Sequence, residues 1–175
     1  FTSHEIGLLF GNVQSGKTGQ MFGILSKAAD LGFPVFLILT TDNVALQQQT
    51  IERVNSDLEG FCICGEDDMG KFVENSLLDP AIIILKKNNR ILRKWANTLN
   101  TTGFMKGNPL FIIDDEADAA SLNTFINRRG NQQSSINKYL DSIKNGATSS
   151  LYLQVTGTPQ AILLQTLASG WHPYF

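Results

Sequence analysis

A glycine-rich segment near the start of the chain fits the phosphate-binding loop pattern G-x-x-x-x-G-K-[ST] at every position. Its residues are Gly11, Asn12, Val13, Gln14, Ser15, Gly16, Lys17 and Thr18. The segment follows the apolar run 6–10 and precedes a helical pattern, which is the strand, loop and helix order that this loop requires. Glycines let backbone N–H groups close around phosphate oxygens, and a helix N-terminus favours negative charge. The segment therefore predicts a nucleoside triphosphate site.

Two side chains at the end of this loop have specific expected roles. Lys17 is expected to reach the terminal phosphates, and the Thr18 hydroxyl is expected to coordinate Mg²⁺. The alternative is a glycine-rich strand-to-helix turn that binds nothing. An acidic segment farther along the chain argues against that alternative.

The acidic segment follows the apolar run 110–113 and reads Asp114, Asp115, Glu116, Ala117, Asp118. A continuous apolar run of this length is typical of a parallel strand that is buried on both faces. Ligands of doubly wound sheets bind beyond the carboxyl ends of the strands, so these carboxylates and the phosphate loop are expected to face one crevice. One aspartate would hold Mg²⁺, and Glu116 would orient or deprotonate the water that attacks the γ-phosphate. The alternative is an acidic helix N-terminus that only complements the helix dipole.

The pattern leaves two aspartates as candidates for the metal. Counting four apolar residues selects Asp114, whereas reading 115–118 as D-E-A-D selects Asp115. Neighbouring residues of a strand point to opposite faces, so only one of the two can point into the crevice. We favour Asp115, which leaves Asp114 as a second carboxylate or as a cap of the strand end.

A third segment, Thr156-Gly157-Thr158-Pro159, follows the strand candidate 151–155. The same argument places its hydroxyls at the carboxyl edge of the sheet, where they could sense the γ-phosphate. Taken alone, the segment is a turn whose proline suits the first turn of a helix. Its position after the acidic strand is what makes it informative.

Together the three segments resemble motifs I, II and III of superfamily-two helicases and translocases, although Gly157 replaces the alanine that is usual in motif III. The residues in and around these motifs also resemble the Z-one domain family. That family is described as endonuclease or helicase-like and is associated with bacterial restriction and phage defence. The matching sequence segments are V-Q-S-G-K-T at 13–18, I-I-D-D-E-A-D-A-A-S-L-N-T at 112–124 and T-G-T-P-Q-A at 156–161.

The resemblance implies a three-layer α/β lobe of the RecA-like P-loop NTPase type, with ATP and Mg²⁺ as cofactors. Lys17, Asp115 and Glu116 would be the catalytic residues, and Thr18 and Asp115 would hold the metal. Asp118, Thr156 and Thr158 would couple the nucleotide state to the grip on nucleic acid, expected to be DNA. No carboxylate and lysine constellation separate from these motifs suggests a nuclease in this sequence.

Length and patterning agree with a single lobe. The chain has 175 residues, of which 42% are hydrophobic, and apolar runs alternate with helical patterns as in a parallel sheet. We predict strands at 6–10, 34–39, 61–64, 81–85, 110–113 and 151–155, and helices at 17–31, 44–58, 89–100, 135–144 and 160–167. Gly32 is expected to terminate the first helix. Because the chain starts without Met and ends soon after the third motif, we expect it to be an excerpt of a longer protein. A second lobe would supply arginine fingers, so hydrolysis by this lobe alone should be weak.

Charge gives no overall support for nucleic-acid binding, since the net charge is −2. A local basic segment, 86–94, has five basic residues in nine, and its candidate phosphate contacts are Lys86, Lys87 and Arg90. The alternative is a solvated helix face. Trp95 follows Ile91 at helical spacing, which favours a core position over stacking on a base.

Other features are less specific. Cys62 and Cys64 lie two residues apart in a strand candidate, where a disulfide between them is geometrically unfavourable, and free thiols fit a reducing cytoplasm. The sequence has no signal peptide and no apolar run long enough to span a bilayer.

The alternative function class is a P-loop kinase or a nucleotide-gated switch. A protein of that class would not need D-E-A-D followed by T-G-T-P.

Overall fold

The computed structural model describes residues 4–10, 17–41, 43–115 and 131–156. Within these ranges the chain forms a six-stranded sheet in which every strand pair is parallel. The strands are β1 (His4–Phe10), β2 (Val35–Thr40), β3 (Cys62–Cys64), β4 (Ala81–Lys86), β5 (Pro109–Asp114) and β6 (Ser149–Thr156). All six lie where the apolar runs predict them.

Five helices are described, and four of them match the predicted ones. They are α1 (Lys17–Asp30), α2 (Val44–Asp57), α3 (Met69–Asn75), α4 (Asn89–Thr102) and α5 (Asn131–Gly146). The short helix α3 was not predicted, and α5 begins four residues before its predicted start at 135. The helix predicted over 160–167 lies outside the described residues.

The sheet is buried on both faces, and each face has its own hydrophobic core. On one face, Leu110 and Ile112 of β5 pack with side chains of α3, α4 and α5. On the other face, Phe111 and Ile113 pack with side chains of α1 and α2. Burial on both faces explains why the central strands are continuous apolar runs instead of alternating ones. The result is a three-layer α/β fold.

The end of α1 shows how the sequence stops a helix. Gly32 has a positive φ of 92°, a conformation that favours glycine. The Phe33 N–H donates to the Ala28 carbonyl and the Gly32 N–H donates to the Ala29 carbonyl, which together form a Schellman motif. The predicted role of Gly32 as the terminator of this helix is confirmed, and the chain is turned into β2.

The two cysteines lie on one face of β3, with their Sγ atoms 3.8 Å apart, and both are free thiols. Burial, and then the neighbouring Cys62, raise the pKa of the Cys64 thiol to about 12. Cys64 therefore remains protonated at neutral pH and is part of the hydrophobic core.

Candidate functional site

The strand order brings together the three strands that precede the sequence motifs. The order is β1-β6-β5-β2-β4-β3, so β6 lies between β1 and β5. Phe10, the last residue before the phosphate loop, pairs with Thr156, and Asp114 pairs with Gln154. Because neighbouring strands are roughly 4.8 Å apart, the ends of β1 and β5 are separated by about 10 Å. The strands that precede the three motif segments thus end side by side at the carboxyl edge of the sheet.

Part of the predicted site can be placed in the structure. Lys17 and Thr18 open α1, as the loop pattern requires, and Thr156 is buried at the end of β6. The loop residues 11–16, together with Glu116, Asp118 and Thr158, lie outside the described residues. Their predicted roles stay predictions.

Asp114 has well-defined partners on the face of the sheet that α4 and α5 cover. Its carboxylate forms an ion pair with Lys87 Nζ. The Tyr152 hydroxyl donates to the second carboxylate oxygen over 2.7 Å. Tyr152 lies on β6 and packs against the same core as Leu110 and Ile112. The ion pair and the hydrogen bond of Asp114 therefore lie on the side of the sheet opposite to α1.

Asp115 continues the pairing of β5 for one more residue, because its N–H donates to the Leu39 carbonyl over 2.9 Å. Phe111 and Ile113 face α1, and Asp114 faces away from it. Strand alternation therefore assigns position 115 to the side of α1, the helix that begins at Lys17. This is the geometry that distinguishes the two aspartates.

These positions suit Mg²⁺ in their chemistry, since a threonine hydroxyl and a carboxylate are the hard oxygen ligands that it prefers. Thr18 lies in the first turn of α1, and Asp115 follows β5 on the side of that helix. Among the described residues, no group of three or more His, Cys, Asp or Glu side chains forms a separate metal site.

The basic segment at the start of α4 is only partly exposed. Lys86 Nζ lies 3.7 Å from the Glu66 carboxylate. The Lys87 side chain is 8% exposed and points inward to Asp114. Arg90 is exposed at the beginning of α4. Of the three predicted phosphate contacts, Arg90 has the accessibility that the role requires, whereas Lys87 has an internal partner.

Glu66, in the turn between β3 and α3, contacts the three elements α2, β4 and α4. One carboxylate oxygen accepts from Gln47 Nε2 at 2.8 Å and from the Lys86 N–H at 3.2 Å. The Glu66 carbonyl accepts from Trp95 Nε1 at 2.9 Å, and Trp95 is fully buried, so its predicted core position is confirmed. Sequence reasoning missed Glu66, although an acidic residue just after a strand was an available signal.

Tyr152 was also not identified from the sequence as a partner of the acidic segment. Its burial, and then the negative charge of Asp114, raise the pKa of its hydroxyl well above the usual value. The hydroxyl therefore stays protonated and acts as a donor to Asp114. The only sequence signal was a tyrosine among the apolar residues of the β6 run.

No family model and no curated protein matches the chain. Among solved structures, the helicase domain of Hef from Pyrococcus furiosus is similar with a TM-score of 0.59 and 17% identity, covering 95% of this chain and 33% of that one. A nuclease-deletion mutant of the Type ISP restriction-modification enzyme LlaGI, in complex with a DNA substrate mimic, is similar with a TM-score of 0.56 and 18% identity. That match covers 89% of this chain and 16% of the LlaGI chain.

The chain thus spans a third or less of the length of these two proteins. At such identities the likeness is one of fold, and it confirms the predicted RecA-like α/β architecture. Membership of the Z-one domain family stays a prediction. Within the described ranges, every helix is too short or too polar to span a bilayer.

Proposed function

We propose that this chain is the ATP-binding and hydrolysing motor lobe of a superfamily-two helicase-like protein that translocates along or remodels DNA. By its resemblance to the Z-one domain family, the protein would act in bacterial restriction or phage defence. The observation that supports the proposal is the β1-β6-β5 strand order, which brings the carboxyl ends of these three strands together at one edge of a RecA-like sheet.

In this proposal the chain's own residues divide the chemistry of hydrolysis. Lys17, at the N-terminus of α1, would neutralise charge on the terminal phosphates. Thr18 and Asp115 would hold Mg²⁺, which would supply charge neutralisation at the terminal phosphates. Glu116 would orient the attacking water and accept its proton.

Thr156 supports the coupling role proposed for the third motif. It is buried between the ends of β1 and β5, where it pairs with Phe10. Thr156 thus lies on the strand between the one that precedes the phosphate loop and the one that precedes the acidic segment. Together with Asp118 and Thr158 it would report the state of the γ-phosphate to the surface that holds nucleic acid.

The DNA contact is proposed at the start of α4. The Asn88 side chain accepts from the Arg90 N–H at 2.9 Å and caps this helix, whose N-terminus favours anions. Arg90, Arg93 and Lys94 are exposed along its first turns. Such contacts grip a phosphate backbone without reading its sequence. A second RecA-like lobe in the full-length protein would complete the ATP site with arginine fingers.

The test is the rate of ATP hydrolysis by the full-length protein without nucleic acid and with single-stranded DNA, double-stranded DNA or RNA. We expect DNA to raise the rate by at least about 10-fold, which corresponds to about 1.4 kcal/mol of barrier. Glu116→Gln should abolish the stimulated rate because it removes the proton acceptor. The matched control is Glu74→Gln, since Glu74 is exposed on α3. A wild-type rate that is indifferent to DNA and RNA would contradict the proposal and favour a nucleotide-gated switch or a kinase.

A further inference from the structure

Lys87 makes a connection across the sheet that the proposed roles do not use. It follows β4, and its N–H donates to the Thr40 carbonyl at the end of β2. Because β2 lies between β4 and β5, the Lys87 side chain passes the end of β2 to reach β5. There Nζ forms the ion pair with Asp114 and also donates to the Asp115 carbonyl at 3.3 Å. One side chain thus joins the start of α4 to both aspartates.

The ion pair is buried, with the Lys87 and Asp114 side chains 8% and 11% exposed. Burying two opposite charges costs desolvation that their attraction only partly offsets, and an apolar pair of similar volume often stabilises a fold equally well. Stability is therefore a weak explanation for this pair. The best-attested role of a buried ion pair is to fix one arrangement of the elements that it joins.

Lys87 joins the start of α4, the proposed nucleic-acid contact, to the end of β5, where the proposed metal carboxylate lies. Lys87 directly precedes Asn88, the cap of α4, so it is covalently continuous with the proposed nucleic-acid contact. At its other end it contacts the main chain of Asp115, the proposed metal carboxylate. A small movement of the α4 start would therefore be transmitted to the acidic segment through one ion pair and one hydrogen bond.

We propose that Lys87 is a positioning residue that couples DNA bound at the start of α4 to the carboxylate of Asp115, through its contacts with Asp114 and the Asp115 carbonyl. The inference rests on the proposed function. It assigns Lys87 to communication between the two sites, in place of the direct phosphate contact that its position in the basic segment suggested.

The test uses the double variant Lys87→Met/Asp114→Asn in the full-length protein, because removing both charges avoids leaving one of them buried and unpaired. The asparagine retains an oxygen that can accept from Tyr152. Without DNA, the double variant should hydrolyse ATP within about 3-fold of wild type, with a similar KM. The stimulation of kcat by DNA should fall at least about 10-fold, within the usual range of coupling between sites. DNA affinity measured without nucleotide should change by less than about 3-fold, since neither side chain touches DNA in this proposal and the coupling acts only when ATP is bound.

The matched control is Lys27→Met/Asp30→Asn, which removes an exposed lysine and an exposed aspartate from the last turn of α1 and should leave the stimulation unchanged. If the Lys87/Asp114 variant folds and is stimulated as strongly as wild type, the coupling role is excluded while the proposed function stands. An equal loss in both double variants would also overturn it, because the effect would then not be specific to Lys87. If wild type itself is not stimulated by DNA, the proposed function falls and the coupling falls with it.

Discussion

Asp115→Asn should slow ATP hydrolysis in the absence of nucleic acid by at least about 100-fold, whereas Asp114→Asn should retain most of this unstimulated rate. The reason is the alternation at the end of β5. Position 115 lies on the side of α1, and Asp114 is paired with Lys87 and Tyr152 on the other side. If Asp115 is the metal carboxylate, as proposed, its removal would weaken the stabilisation of charge on the transferring phosphoryl group, while removal of Asp114 would leave the proposed metal ligands in place.

Asp114→Asn should instead lower the free energy of unfolding by about 3–5 kcal/mol, because the buried Lys87 charge loses its partner. Both variants should be measured by steady-state hydrolysis and by urea unfolding. The opposite pattern, with Asp114→Asn inactive and Asp115→Asn active, would show that Asp114 is the metal carboxylate.

Trp95→Ala should lower the free energy of unfolding by about 3–5 kcal/mol. Trp95 is fully buried and packs edge-on against Phe72, with ring centroids 5.7 Å apart. Its indole N–H also donates to the Glu66 carbonyl, which fixes the turn between β3 and α3. The substitution would leave a large cavity beneath α4 and would release this turn. Urea unfolding of wild type and variant measures the difference.

Trp95→Phe is the control, since it keeps an aromatic ring and loses mainly the hydrogen bond to Glu66. Its cost should be smaller, about 1–3 kcal/mol, and reflect the unpaired carbonyl and the lost ring volume. A loss below about 1 kcal/mol for Trp95→Ala would contradict the core position of this side chain.

The sequence was most informative where burial leaves a direct pattern. The apolar runs of β2, β4 and β5 follow from burial on both faces, and the turn residue Gly32 identified the end of α1. Helix α3 escaped prediction because it has only seven residues and contains Gly70, so it shows little helical periodicity. The first turn of α5 is rich in polar residues and has no apolar spacing by which its start could be found.

The details of the candidate site depend on strand order, which the sequence does not contain. Nothing in the pattern showed that β2 lies between β4 and β5, so Lys87 looked like one of several surface cations. The choice between Asp114 and Asp115 also needed the faces of β5, which became clear only when the two cores could be compared. The motif residues could be listed from the sequence, but their partners could not.

We propose that Mg-ATP binds at the carboxyl edge of this sheet, and ATP binding measured by calorimetry with and without Mg²⁺ tests this. We expect wild type to bind ATP and to bind it more tightly with Mg²⁺. Lys17→Ala should weaken binding by at least about 10-fold, because Lys17 is proposed to contact the terminal phosphates. Lys27→Ala, in the last turn of the same helix, is the matched control and should bind as wild type does. If wild type does not bind ATP, or if Lys17→Ala binds ATP as tightly as wild type, the proposed Mg-ATP site is contradicted.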